Sequence, residues 1–184
     1  MNVFLKVLLN AVSLTIVWLV ALAIVLLVAR VSAQVPSAIA VPDGTALVTL
    51  HAEGTQIYQC KPDSDRKSPS QKGALTWQFR EPIATLILEG ESVGRHYAGP
   101  NWDYIDGSGV KGKVAASSPG ATPNDIPWLK LVVADRRGDG ILSNATTVQR
   151  INTKGGAAQG SCESAGNYLS VPYSADYVFL RKRD

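Results

Sequence analysis

Beyond residue 33 the apolar residues of this chain recur at every second position, and no segment repeats them at the spacing of an amphipathic helix. Successive side chains of a strand point to opposite faces, so a chain patterned only in this way must bury one face of a sheet. Within residues 45–52, Ala46, Val48, Leu50 and Ala52 alternate with Leu47, Thr49 and His51. Within 74–80, Leu75, Trp77 and Phe79 alternate with Thr76, Gln78 and Arg80, which points the first three at the core. Residues 55–60, 83–89, 101–105, 110–115, 128–134, 145–151 and 171–180 read as further strands. Gly54 and Pro82 are expected to separate neighbouring strands, and the polar stretches 61–72, 117–127 and 135–140 to be loops and turns. About nine short strands between turn signals predict an all-β domain, an antiparallel β-sandwich or barrel.

A different segment precedes it. Residues 7–29 form an unbroken hydrophobic run, with Lys6 before it and Val31-Ser32-Ala33 after it. This is the pattern of a signal peptide cleaved after Ala33, and the run is also long enough, at about 20 apolar residues, for a hydrophobic helix retained as a membrane anchor. Either outcome exports the rest of the chain, to a secreted, periplasmic or extracellular location. The chain thus divides into a leader over 1–33, a Pro/Ser/Ala linker over 34–40 and one β domain over 41–184. The 18 basic and 15 acidic residues give a net charge of +3, and two of the bases, Lys6 and Arg30, belong to the leader. The near-neutral remainder offers no basic face to nucleic acid, and Arg181-Lys182-Arg183 reads as a solvated tail.

Both cysteines, Cys60 and Cys162, lie beyond the leader. In an exported chain such a pair is expected to form a disulfide, and closing a loop of 102 residues stabilises by about 4–5 kcal/mol on the chain-entropy model. Neither a CxxC spacing nor a nearby histidine supports zinc.

The candidate site lies in residues 95–109, where one of the two histidines, a tryptophan, two tyrosines and two aspartates are crowded between Gly99-Pro100 and Asp106-Gly107 turns. Asn101 to Ile105 reads as a short strand with Trp102 and Tyr104 on one face and Asp103 and Ile105 on the other. His96, Tyr97, Trp102, Asp103, Tyr104 and Asp106 are therefore the expected ligand-binding residues, for a glycan or other envelope component, a small molecule or a partner protein. Trp102→Ala is expected to abolish binding and leave the thermal midpoint almost unchanged if that ring is a ligand platform, and to collapse stability if it is core. Trp128 and Tyr173 join Trp102 and Tyr104 as rings that can stack on a sugar or planar ligand. One alternative is a hydrolase using His96 with Asp103 or Asp106; another is a purely structural envelope protein. Carboxylates in turns commonly bond the backbone instead of doing chemistry. No diagnostic metal spacing, GxSxG elbow or phosphate-cradling glycine loop is present, so no metal or cofactor is expected.

GTQIYQC at 54–60, LTWQF at 75–79, HYAGPNWDYIDGS at 96–108, IPWLKL at 126–131, VQRINTKGG at 148–156 and VPYSADYVF at 171–179, together with Cys162, resemble the family called domain of unknown function 3455. The resemblance spans about residues 41–181 and implies an exported β-rich domain without an assigned activity. Its GPxW and DGS motifs fall on Gly99, Pro100, Trp102, Asp106, Gly107 and Ser108. Some fungal members carry a malate dehydrogenase label, but this chain has no dinucleotide-binding βαβ unit.

Overall fold

The computed structural model describes residues 34–63 and 74–183. The leader expected over 1–33, with its hydrophobic helix, and most of the 61–72 loop lie outside the described residues. Eight antiparallel strands run in order around one sheet: β1 (Gly44–Pro62), β2 (Leu75–Leu88), β3 (Glu91–Tyr97), β4 (Asn101–Tyr104), β5 (Gly109–Ser118), β6 (Trp128–Arg137), β7 (Thr147–Gly155) and β8 (Tyr168–Lys182). Each pairs with the next, and β8 pairs back onto β1 from Gly44↔Lys182 to Gln59↔Tyr168, which closes the sheet into a barrel. Closure leaves no free sheet edges at the two chain-terminal strands. Among the described residues no helix is long and apolar enough to cross a membrane.

The all-β, antiparallel expectation is met, with eight strands rather than about nine: two expected breaks do not occur, which merges four expected strands into two, and β3 is a strand that was not expected. Gly54 lies inside β1, a single strand of 19 residues. Its missing Cβ would collide with the carbonyl oxygen of Ile83 and with Ala84 on β2, so the glycine permits close backbone approach instead of ending the strand. Pro82 lies inside β2, opposite Gln56. The β2–β3 ladder begins only at Ala84↔His96, so Pro82 occupies a stretch where its lack of an N–H removes no bond to β3. A bulge beside it leaves Arg80 between the pairs Ile57↔Glu81 and Tyr58↔Phe79. The inward face expected for residues 74–80 is not formed: Phe79 is 55% exposed and Trp77 only partly buried, because this half of β2 borders an opening in the wall.

The interior is packed by Leu50 and Ala52 from β1, Leu86 from β2, Trp102 from β4, Val148 from β7, and Tyr173, Ala175, Tyr177 and Phe179 from β8. One end is plugged. The Ile141–Asn144 3-10 turn, between β6 and β7, inserts the fully buried Leu142. It is held by the β4–β5 turn: Asp106 Oδ2 accepts from Ile141 N at 2.7 Å, and Ser108 Oγ accepts from Leu142 N at 3.2 Å. The segment expected to be a linker over 34–40 is packed too. Ser37–Ile39 forms a 3-10 turn, Ile39 is fully buried, and its carbonyl accepts from Gln149 Nε2 at 2.7 Å. Cys60 and Cys162 are joined in a disulfide, as expected, with Cα atoms 5.9 Å apart. Such a bond is consistent with an extracellular or periplasmic location. The basic end of the chain is less a tail than a strand, since β8 continues through Lys182.

Candidate functional site

At the end opposite the plug the barrel is hollow. The cavity has a volume of about 500 Å³ and is walled mainly by apolar and aromatic side chains. It arises from strand lengths: β3 stops at Tyr97 and β4 starts at Asn101, so neither continues the wall beside the first half of β2 or the last residues of β5. Phe79 and Val114, both about half exposed, flank the opening, and Gly99-Pro100 forms its rim.

His96 and Trp102 are cross-strand partners and therefore share the inner face. Their rings stack at 4.5 Å with an angle of 8°, and Tyr177 leans on both, at 4.9 Å from His96 and 5.4 Å from Trp102. His96 Nδ1 donates to the Asn101 carbonyl at 2.8 Å, which fixes the neutral ring with Nε2 unprotonated. Burial lowers the imidazole pKa to about 3; the Asn101 bond opposes this and the nearby Arg150 charge adds to it. Burial likewise raises Tyr173 and Tyr177, whose hydroxyls lie 3.4 Å apart.

The polar groups in the wall are few. Arg150 pairs with Leu129 in the β6–β7 register and so shares the inner face with it; its Nε donates to the Pro127 carbonyl at 3.0 Å. Tyr58 Oη donates to the Gly156 carbonyl at 2.7 Å. Gln56 Nε2 and Trp102 Nε1 are buried and make no hydrogen bond of acceptable geometry, although the Gln56 amide is close enough to Tyr173 to hold its pKa down slightly.

Of the six residues expected to form a binding face, the cavity collects only His96 and Trp102. Strand alternation sends Asp103 outward, where it pairs with Arg95 at 2.9 Å and with Arg137, and accepts from Tyr97 Oη at 3.2 Å. Tyr97 is held in that same outer network by Arg137 Nη2 at 3.0 Å. Tyr104 packs against the core, and its backbone closes the tight turn through Ser108 O at 2.9 Å. Asp106 is committed to the plug: Oδ1 accepts from Ser108 N at 2.8 Å and from Ser108 Oγ at 2.5 Å. Burial pushes this carboxyl up, but the bonds from Ser108 and Ile141 outweigh it and hold it below the usual carboxylate range. Neither Asp103 nor Asp106 pairs with His96, since both aspartates are engaged elsewhere, and an imidazole at about 3 is a poor general base near neutral pH. Trp128 and Tyr173 are buried and do not line the cavity.

Sequence reasoning missed Arg150, Gln56 and Tyr58 as cavity residues. Alternation from Val148 does put Arg150 on the buried face of its strand, and a charge at such a position was the available signal.

A family model described as a protein of unknown function (DUF3455) matches residues 41–181. The chain belongs to the DUF3455 family. No curated protein and no solved structure matches it. The DUF3455 match takes in the whole cavity wall, from Gln56 to Tyr177. The DGS motif of this member is a structural latch on the plug, whereas GPxW supplies both rim and wall of the cavity.

Proposed function

We propose that this DUF3455 domain is an exported, non-enzymatic binding protein that holds one small, mainly apolar molecule inside its barrel. The observation that carries the reading is the open cavity of about 500 Å³, within the range of small-molecule sites and lined by aromatic and aliphatic side chains with a few polar groups. A purely structural barrel gains nothing from this space, because side chains facing a void forfeit dispersion contacts that a filled core would make. A glycan platform is less well supported: of the four rings expected to stack on sugars, Trp102, Trp128 and Tyr173 are buried and Tyr104 is partly buried. Export is supported by the disulfide and by the hydrophobic leader pattern.

The test uses N-phenyl-1-naphthylamine, a neutral apolar dye that fluoresces on leaving water. Titration should saturate at one dye per chain, and Val114→Trp, which adds bulk at the half-exposed mouth, should weaken binding at least about tenfold while leaving the thermal midpoint within a few degrees. Absence of saturable binding, or binding indifferent to Val114→Trp, would overturn the proposal.

A further inference from the structure

We infer that the cavity takes an anionic amphiphile, a molecule with an apolar body and one carboxylate, seated with the carboxylate on Arg150. This rests on the proposed binding of a small apolar molecule in the barrel and adds the polarity of the ligand to it.

Three observations point the same way. First, Arg150 is a partly buried cation on the inner face of the barrel, and among the described residues no carboxylate pairs with it. Its Nε bond to the Pro127 carbonyl and its contact with the Tyr177 hydroxyl orient the guanidinium but leave its charge uncompensated. The cost of keeping a cation in such a place falls when an anion fills the site. Second, the cavity wall contains no acidic residue. A wall with a cation and no carboxylate complements a group rich in acceptors, and a guanidinium binds carboxylate oxygens in bidentate fashion. Third, the other arginine at the cavity is already occupied: Arg80, at the mouth, lies 3.3 Å from Glu81 and stacks over Tyr168 at 5.2 Å. The uncompensated charge is thus inside, with apolar wall around it, and this is the distribution that an amphiphilic anion matches and a neutral apolar molecule does not.

Competition against bound N-phenyl-1-naphthylamine separates the possibilities. Dodecanoate and dodecanol have the same chain and differ at the head group, and the alcohol is the more readily expelled from water. With the wild-type protein dodecanoate should nevertheless displace the dye at a concentration about tenfold or more lower, the scale of a charge-assisted hydrogen-bond pair. Arg150→Leu should remove that preference, read as the ratio of dodecanoate to dodecanol concentrations that displace the dye within the variant, and Arg150→Lys should restore part of it. Dye binding with dodecanoate no better than dodecanol would overturn the inference and leave the cavity proposal standing. Failure of the dye to bind at all would remove both. The wild-type comparison needs no substitution, so a variant that does not fold leaves the test intact.

Discussion

His96 is the residue whose chemistry is most altered by the fold. Its imidazole sits at about 3, mainly through burial, against an ordinary value of 6.5. Below about pH 6.5 the unfolded chain takes up a proton that the folded chain refuses until about pH 3. This contribution to stability is therefore complete above pH 6.5 and is lost as pH falls towards 3, with a slope of about 1.4 kcal/mol per pH unit. Urea denaturation at stepped pH should show that slope in the wild type and one proton less of it in His96→Phe, which keeps a ring against Trp102; identical slopes would refute the assignment. Trp102 is both cavity wall and core, 1% exposed and packed on His96, Tyr177 and Phe179. Trp102→Ala is accordingly expected to destabilise by about 3–5 kcal/mol in denaturant titrations, so loss of binding in that variant would not by itself identify a ligand contact. Of the two outcomes set out for Trp102→Ala, its burial favours the loss of stability, because a ring next to a turn can still point inward.

At the scale of elements, the two long strands and the plug depend on local features of opposite kinds. Gly54 lets β1 and β2 approach where any side chain would strike the Ile83 carbonyl. Gly54→Val should therefore lower the yield of folded protein and the thermal midpoint, measured by circular dichroism, far more than Gly90→Ala in the β2–β3 turn, where a Cβ meets nothing within 4 Å and only the positive φ is disturbed. Asp106 ties the β4–β5 turn to the Ile141–Asn144 turn. Asp106→Ala removes acceptors from Ser108 and Ile141 and should cost about 1–3 kcal/mol, with dye affinity unchanged because the plug and the cavity are at opposite ends of the barrel. A change in dye affinity without a change in stability would contradict that division. Strand direction could be read from alternation, but strand ends could not. Glycine and proline are turn signals only when neighbouring strands do not use their special geometry, and the neighbours of Gly54 and Pro82 are distant in sequence.

For the whole molecule, the disulfide and the β1–β8 pairing fasten the chain across most of its length. Cys60 and Cys162 close a loop of 102 residues between the far half of β1 and the segment leading into β8. The Cys60→Ala, Cys162→Ala double variant should lose about 4–5 kcal/mol, seen as a lower midpoint in urea, and the wild type should fall to the same midpoint in reductant. The family, the all-β class and the disulfide were all legible in the sequence, since period-two alternation, two cysteines beyond a hydrophobic N-terminal run and ordered short motifs are local properties of the chain. The cavity was not. Whether Trp102 and Asp103 face one solvent or two different environments, and which arginine among many stands inside, depends on the sheet closing on itself and on β3 and β4 stopping short of the rim. Those are outcomes of long-range strand pairing, which brings residues more than a hundred positions apart onto one inner wall; the spacing of a single segment can put Arg150 on an inner face but cannot show that the face borders a cavity.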